Sequence, residues 1–250
     1  MKQTIILWVS AVVITFLSGY LESIFSPYYP TTGTIGINGE RVSYKFDKIF
    51  IGKENYTVLI RTDLPNLKGK LRWQIEDSMQ TWDTVQMVSG NEILYAEIPK
   101  QPPKTIVKYE VELMSGDSTY TLPQCKIKFL GEVPSMITFL FYFSLLGGLL
   151  LSTRTGMEFF NENQKIKKLS LFTVTFFFVL TIAVTPLKKS YELEAINKTV
   201  PPITELFDYQ SVIFLLVWIV GMGIVFKAKN PKPAALVLSI ITILIFLLIP

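Results

Sequence analysis

Histidine is absent from the 250 residues, and cysteine occurs once, as Cys125. A lone thiol makes neither an internal disulfide nor a thiolate metal cluster. The missing imidazole removes the commonest general base, the commonest zinc ligand and the usual axial ligand of haem. No GxSxG, P-loop, HExxH, CxxC or dinucleotide fingerprint is present. On these grounds no catalytic, cofactor-binding or metal-binding residue is assigned, no small-molecule substrate is evident, and the expected class is non-enzymatic. Charge is missing locally as well. Five stretches carry no Asp, Glu, Lys or Arg: Thr4–Leu21, Ser135–Ser152, Leu169–Leu187, Ser211–Phe226 and Pro233–Pro250. A transporter or proton channel should place ionisable groups within its spans, and these runs offer only Ser, Thr and Tyr as polar groups with a hydroxyl.

What remains is apolar. Half of the residues are hydrophobic, 13% are aromatic and the mean hydropathy is +0.39. Each uncharged run approaches the ~17–25 residues that cross a hydrocarbon core as a helix, so five spans are expected, in a lipid bilayer. The sequence pI near 9.0 does not imply nucleic acid, because the basic residues cluster beside the spans. Lys2, Arg154, Lys165, Lys167, Lys168, Lys227, Lys229 and Lys232 face only Glu158 and Glu162 in the same segments. The region Tyr20–Pro134 has 13 basic and 14 acidic residues, and Lys188–Gln210 has 3 and 4. Basic segments stay cytoplasmic. The expected topology in a cytoplasmic membrane therefore has the amino terminus inside, with the β-region, the loop 188–210 and the carboxyl terminus outside. Residues 1–21 are read as a retained anchor, with a cleaved signal peptide as the alternative, since Leu17 is a poor −3 residue for cleavage after Gly19.

Residues 22–38 show neither helical nor strand periodicity and are read as a tether. From 39 to 131 the pattern changes to period two. Leu94, Ala96 and Ile98 alternate with Tyr95 and Glu97; after a Pro/Lys-rich turn, Val107, Tyr109, Val111 and Leu113 alternate with Lys108, Glu110 and Glu112. Val42/Tyr44/Phe46, Tyr56/Val58/Ile60, Leu71/Trp73/Ile75, Val85/Met87 and Ile127/Phe129 repeat this. About seven short strands at this spacing predict an all-β sandwich, with Trp73 in its core and Trp82 as an exposed contact.

The run WDTVQMVSGNEILYAEIPKQPPKTIVKYEVELMSGD, beginning at Trp82, resembles fibronectin-type-III-like and immunoglobulin-like modules of bacterial surface proteins. There an aliphatic and aromatic strand passes through a Pro-containing turn into a strand centred on Tyr. The resemblance implies a sandwich fold and no activity; the paired cysteines of antibody-type domains are missing. The segment VPPITELFDYQSVIFLLVW is similar to the corresponding part of bacterial five-helix membrane proteins, which again implies no activity. The expected fold class is thus an α-helical five-span bundle with an inserted all-β ectodomain. The bundle comprises residues 135–152, 169–187, 211–226 and 233–250 besides the anchor.

Small residues in the spans, Ser144 with Gly147 and Gly148, Gly221 with Gly223, and Ala235 with Ser239, predict close helix packing, within the bundle or against another subunit. Thr153–Lys168 is read as a cytoplasmic connector. The outer loop 188–210 is rich in apolar residues, including Leu193, Ile196, Val200, Ile203, Leu206 and Phe207. It is expected to pack on the sandwich or membrane, or to meet a partner. Thr204 is expected to cap a helix there. The function expected is that of an accessory protein presenting its sandwich to a membrane or envelope protein, with Trp82, Ile196, Val200, Leu206 and Phe207 as contacts. A homo-oligomeric channel or transport component is one alternative and an enzyme with an unrecognised site is another.

Overall fold

The alternating strands form two sheets in a computed structural model that describes residues 2–64, 66–76, 81–162, 164–195 and 201–249. The chain divides into two units. One comprises Tyr28–Glu132 with Glu192–Glu194; the other comprises Met1–Pro27, Val133–Tyr191 and Ala195–Pro250.

In the β unit one sheet has the strand order β1-β2-β4-β8-β7: Thr31–Ile37, Glu40–Phe46, Tyr56–Arg61, Ile93–Ile98 and Val88–Gly90. The other has the order β3-β11-β9-β5-β6: Ile49–Ile51, Cys125–Leu130, Ile106–Ser115, Lys68–Ile75 and Asp83–Gln86, with β10, Ser118–Thr121, also paired to β9. This is a β-sandwich-like arrangement. Val107, Tyr109, Val111 and Leu113 are fully buried, as are Val58, Ile60 and Ile98 on the other sheet. The Pro99–Thr105 turn joins β8 to β9 and so carries the chain from one sheet to the other.

The stretch read as a tether differs from that reading at both ends. The first helix, α1, continues to Phe25, and β1 occupies Thr31–Ile37, paired antiparallel to β2. The cause is Asn38-Gly39, a two-residue loop between Ile37 and Glu40, with φ of 51° and 87°. That dipeptide suits the type I′ turn, which needs left-handed backbone at both positions. Trp73 is only partly buried, packed on the core. The deepest aromatic contacts are instead Phe46, Tyr56, Phe129 and Tyr109, with Tyr109 set edge-on against Phe46 and Tyr56.

The helix unit contains α1 (Lys2–Phe25), α2 (Ser135–Met157), α3 (Ile166–Val179), α4 (Thr185–Glu192), α5 (Ile203–Leu206), α6 (Tyr209–Lys227) and α7 (Lys232–Leu248). A π-helical turn, Leu180–Val184, joins α3 to α4 and stands just before Pro186. Pro186 has no N–H to continue the i−4 ladder, and a wide turn there absorbs the lost bond. Four helical stretches are long and apolar enough to cross a membrane: Gln3–Phe25, Ser135–Phe160, Ile166–Glu192 and Tyr209–Lys227. The fifth apolar helix, Lys232–Leu248, is shorter, at 17 residues.

Small residues make the helix contacts possible. A Cβ on Gly148 would lie 2.6 Å from the Phe177 ring, and one on Gly156 would lie 2.4 Å from Ser239 Cβ. Phe177, fully buried, stacks on Phe214 with ring centroids 4.9 Å apart. The Trp218 indole N–H donates to Thr242 Oγ1 at 2.8 Å.

Candidate functional site

Helix α2 outruns the uncharged stretch that announced it. It continues through Ser152, Thr153, Thr155 and Gly156 because these small residues fit against neighbours; Gly156 abuts Ser239 of α7, and Thr155 Oγ1 lies 3.5 Å from Thr173 Oγ1 of α3. Arg154 and Glu158 are thereby drawn into the bundle, where their side chains are 3% and 0% exposed. The first part of the stretch read as a connector, Thr153–Lys168, is thus helical, with α2 running to Met157 and a 3-10 turn over Glu158–Phe160. The helix continues because its small residues can pack, whereas the run had been bounded by the first charge.

Arg154 Nη2 lies 2.6 Å from Glu158 Oε1, at the i,i+4 spacing that brings side chains together on a helix. Glu158 Oε2 accepts from Asn161 Nδ2 at 2.9 Å and from the Lys165 backbone N–H at 2.8 Å, which fixes the turn into α3. The Arg154 guanidinium also stands 5.4 Å over the Trp8 ring of α1. Its Nε and Nη1 are buried without a hydrogen-bond partner among the described residues. Trp8 of α1 and Glu158 of the turn after α2 therefore meet at one cation. Arg154 follows Ser135 by 19 residues, about 29 Å along the helix at 1.5 Å per residue, close to the ~30 Å thickness of a hydrocarbon core. The pair occupies one end of the span, so the geometry suits a boundary clamp better than a path through the middle.

The β unit offers a second candidate. β6 and β7 stand at the ends of the two sheets, and all of their residues are exposed, including Val85 and Val88. The chain changes sheets between them at buried Met87. Trp82, just before β6, is partly buried and lies beneath Arg72, whose Cζ is 5.5 Å from the ring centroid. Arg72 is itself held at 3.1 Å by Glu110 and 3.0 Å by Glu112.

The remaining sequence candidates fall elsewhere. Leu206 ends α5 and Phe207 follows it, both partly buried and both in the helix unit. Ile196 and Val200 lie outside the described residues. The stretch 188–210 also differs from a continuous loop, since α4 extends to Glu192. Glu192–Glu194 belong to the β unit: the Gly131 N–H donates to the Glu192 carbonyl at 2.8 Å, and Lys100 Nζ is 3.3 Å from Glu194 Oε1. Asp208, rather than Thr204, caps the next helix, α6, with its carboxylate accepting from the Ser211 N–H at 3.2 Å. Sequence reasoning missed the Arg154–Glu158 pair; the readable signal was opposite charges at i,i+4 directly behind a run of small hydroxyl residues.

No family model matches the chain, and no curated protein does. Among solved structures, the crystal structure of Br derivative BhCBM56 is similar at 12% identity over 40% of this chain and 90% of that chain, with a TM-score of 0.26. A likeness at that score carries no argument about fold or function.

Proposed function

We propose that the helix unit anchors this protein in a cytoplasmic membrane and that the β unit, outside, holds an envelope protein partner. The charge distribution supports the orientation, with basic residues beside one set of helix ends. The immunoglobulin-like or fibronectin-type-III-like assignment also belongs to this proposal; the period-two core and the strand that changes sheets support it. A fifth span by α7 is proposed on its apolar composition.

The observation that carries the reading is the open side of the sandwich at β6 and β7. Unpaired backbone N–H and C=O groups on a sheet edge are a template for an extended segment of another chain. Val85, Val88 and Trp82 would give such a segment apolar contact, and the Glu110 and Glu112 carboxylates around Arg72 would give it polar contact. A photo-crosslinking residue at Val88 in intact cells should yield a discrete protein adduct that is absent with the same residue at Asp117, in the β9–β10 turn. Absence of an adduct at both Val88 and Val85 would contradict the partner reading.

The buried Arg154–Glu158 pair favours one other reading, a transport component, because ionisable groups within spans commonly mark a pathway. Its place at a helix end favours the anchoring role. Ion flux through reconstituted vesicles that responds to Glu158→Gln would reverse that preference.

A further inference from the structure

The helix unit holds a groove of about 630 Å³ between α1, α2 and α3. Its floor is Gly147, where a Cβ would lie 2.4 Å from the Phe176 ring, and its walls include Trp8, Phe16, Phe143 and Phe172. The α2 side runs from Phe139 to Leu151, about 18 Å at 1.5 Å per residue. That length is near the depth of one leaflet, half of the ~30 Å hydrocarbon core. The groove's length and its mostly apolar lining suit a single acyl chain.

One end of the groove is cationic. Trp8 lies under the Arg154 guanidinium, and the Phe172 ring lies 5.9 Å from Lys168 Nζ. Arg154 stands in the last turn of α2 and Lys168 in the first turn of α3, the adjoining ends of consecutive helices. Arg154 is buried and paired with Glu158, whereas Lys168 is exposed and is the cation a molecule in the groove can reach. From these observations we infer that the α1–α2–α3 groove is a binding site for one anionic phospholipid, its acyl chain along Gly147 and its phosphate at Lys168. The inference rests on the membrane placement proposed above, which sets this end in the cytoplasmic leaflet. Basic pockets between spans on that side attract anionic headgroups.

Trp8 reports on the site. It lines the groove at 37% exposure, whereas Trp218 is fully buried and Trp73 and Trp82 belong to the β unit. The full chain and its Trp8→Phe variant are reconstituted in phosphatidylcholine vesicles containing increasing amounts of chain-brominated phosphatidylglycerol or chain-brominated phosphatidylcholine. The fluorescence difference between the two proteins isolates Trp8. Half-quenching should need about fivefold less brominated phosphatidylglycerol than brominated phosphatidylcholine, the preference expected from ~1 kcal/mol per basic residue. Lys168→Gln should remove most of that preference without altering the fold, since its side chain is exposed. Equal quenching by both lipids would overturn the anionic site while leaving the membrane placement intact. Quenching by aqueous iodide but by neither lipid would overturn the membrane placement itself. Protection from all three quenchers would mean that protein, a second copy or a partner helix, covers the groove, and would overturn the lipid assignment.

Discussion

Both units bury apolar side chains, but they differ in the polar ones buried beside them and in the apolar ones left outside. In the β unit the core is Ile, Val, Leu and aromatic residues from both sheets, while the alternate positions of β4 and β8 bear Thr57, Arg61 and Glu97 outward. The helix unit buries Ser144, Ser152, Thr155, Arg154, Glu158, Ser170 and Thr173, and leaves Ile5, Phe16, Phe139 and Val220 exposed. A water-solvated domain gains by hiding apolar surface, so its interior is read from alternation. A lipid-solvated bundle gains nothing by hiding Leu from acyl chains, and small or polar residues mark its helix contacts instead. The contrast supports the proposal that lipid solvates the helix unit and water the β unit, and each prediction below acts on it.

The largest effects should come from cutting into either interior. Phe129→Ala should destabilise the β unit by ~3–5 kcal/mol, through lost burial and the cavity left behind, measured by denaturant melts of the solubilised chain followed at β-sheet wavelengths. Arg154→Ala should cost the helix unit a similar ~3–5 kcal/mol, because it leaves the Glu158 charge buried without its partner. Replacing both together, Arg154→Met with Glu158→Leu, should cost far less. A double variant as damaged as the single one would show that the pair does more than neutralise itself.

A smaller effect is expected at Thr242, which accepts from the Trp218 indole N–H and donates to the Leu238 carbonyl at 2.7 Å. Hydrogen bonds between helices in membranes average ~0.6 kcal/mol, with a maximum near 1.7. Thr242→Val should fall in that range in thermal melts. A loss well above it would mean that the surroundings are drier and more rigid than a bundle in lipid.

The smallest effect is electrostatic and confined to the β unit. Lys126 and Lys108 beside Glu76 hold its carboxyl below the usual 4.5. A lowered folded pKa contributes stability above the unfolded value, and that contribution disappears as the pH falls through the folded one. Glu76→Gln should therefore lower the β unit's melting temperature slightly at pH 7, with the gap closing below pH 4.5. A gap that persisted in acid would assign the effect to packing. Tyr109 and Tyr56 work in the opposite direction: burial pushes both phenols above their ordinary 10. Their contribution is intact below pH 10 and declines as the pH rises beyond it.

Legibility followed the same division. Strands β8 and β9 were readable because burial and sequence share a period of two, and Val107, Tyr109, Val111 and Leu113 are all fully buried. β1 escaped because its TTGTIGI sequence has little apolar bulk to alternate, although Asn38-Gly39 carried the hairpin signal. In the helix unit the small-residue faces were legible as faces, but not their partners. Gly148 meets Phe177, Gly156 meets Ser239 and Gly221 meets Leu238, pairings that depend on tertiary register. Arg154 and Glu158 read as solvated charges because a run of apolar residues ends at its first charge, whereas a helix ends where its backbone bonds do. The proposed partner surface was least legible, since Val85 and Val88 differ from core valines only in lying at sheet edges.

The central claim, that the β unit is outside while the Arg154 end of the bundle is inside, is tested most directly by thiol labelling in intact cells. Cys125 is the chain's only cysteine and is buried, so in a Cys125→Ser background a new cysteine reports alone. Asp117→Cys should react with a membrane-impermeant maleimide, and Lys167→Cys should react only after the cells are opened. Labelling of Lys167→Cys in intact cells, with Asp117→Cys protected, would contradict the account.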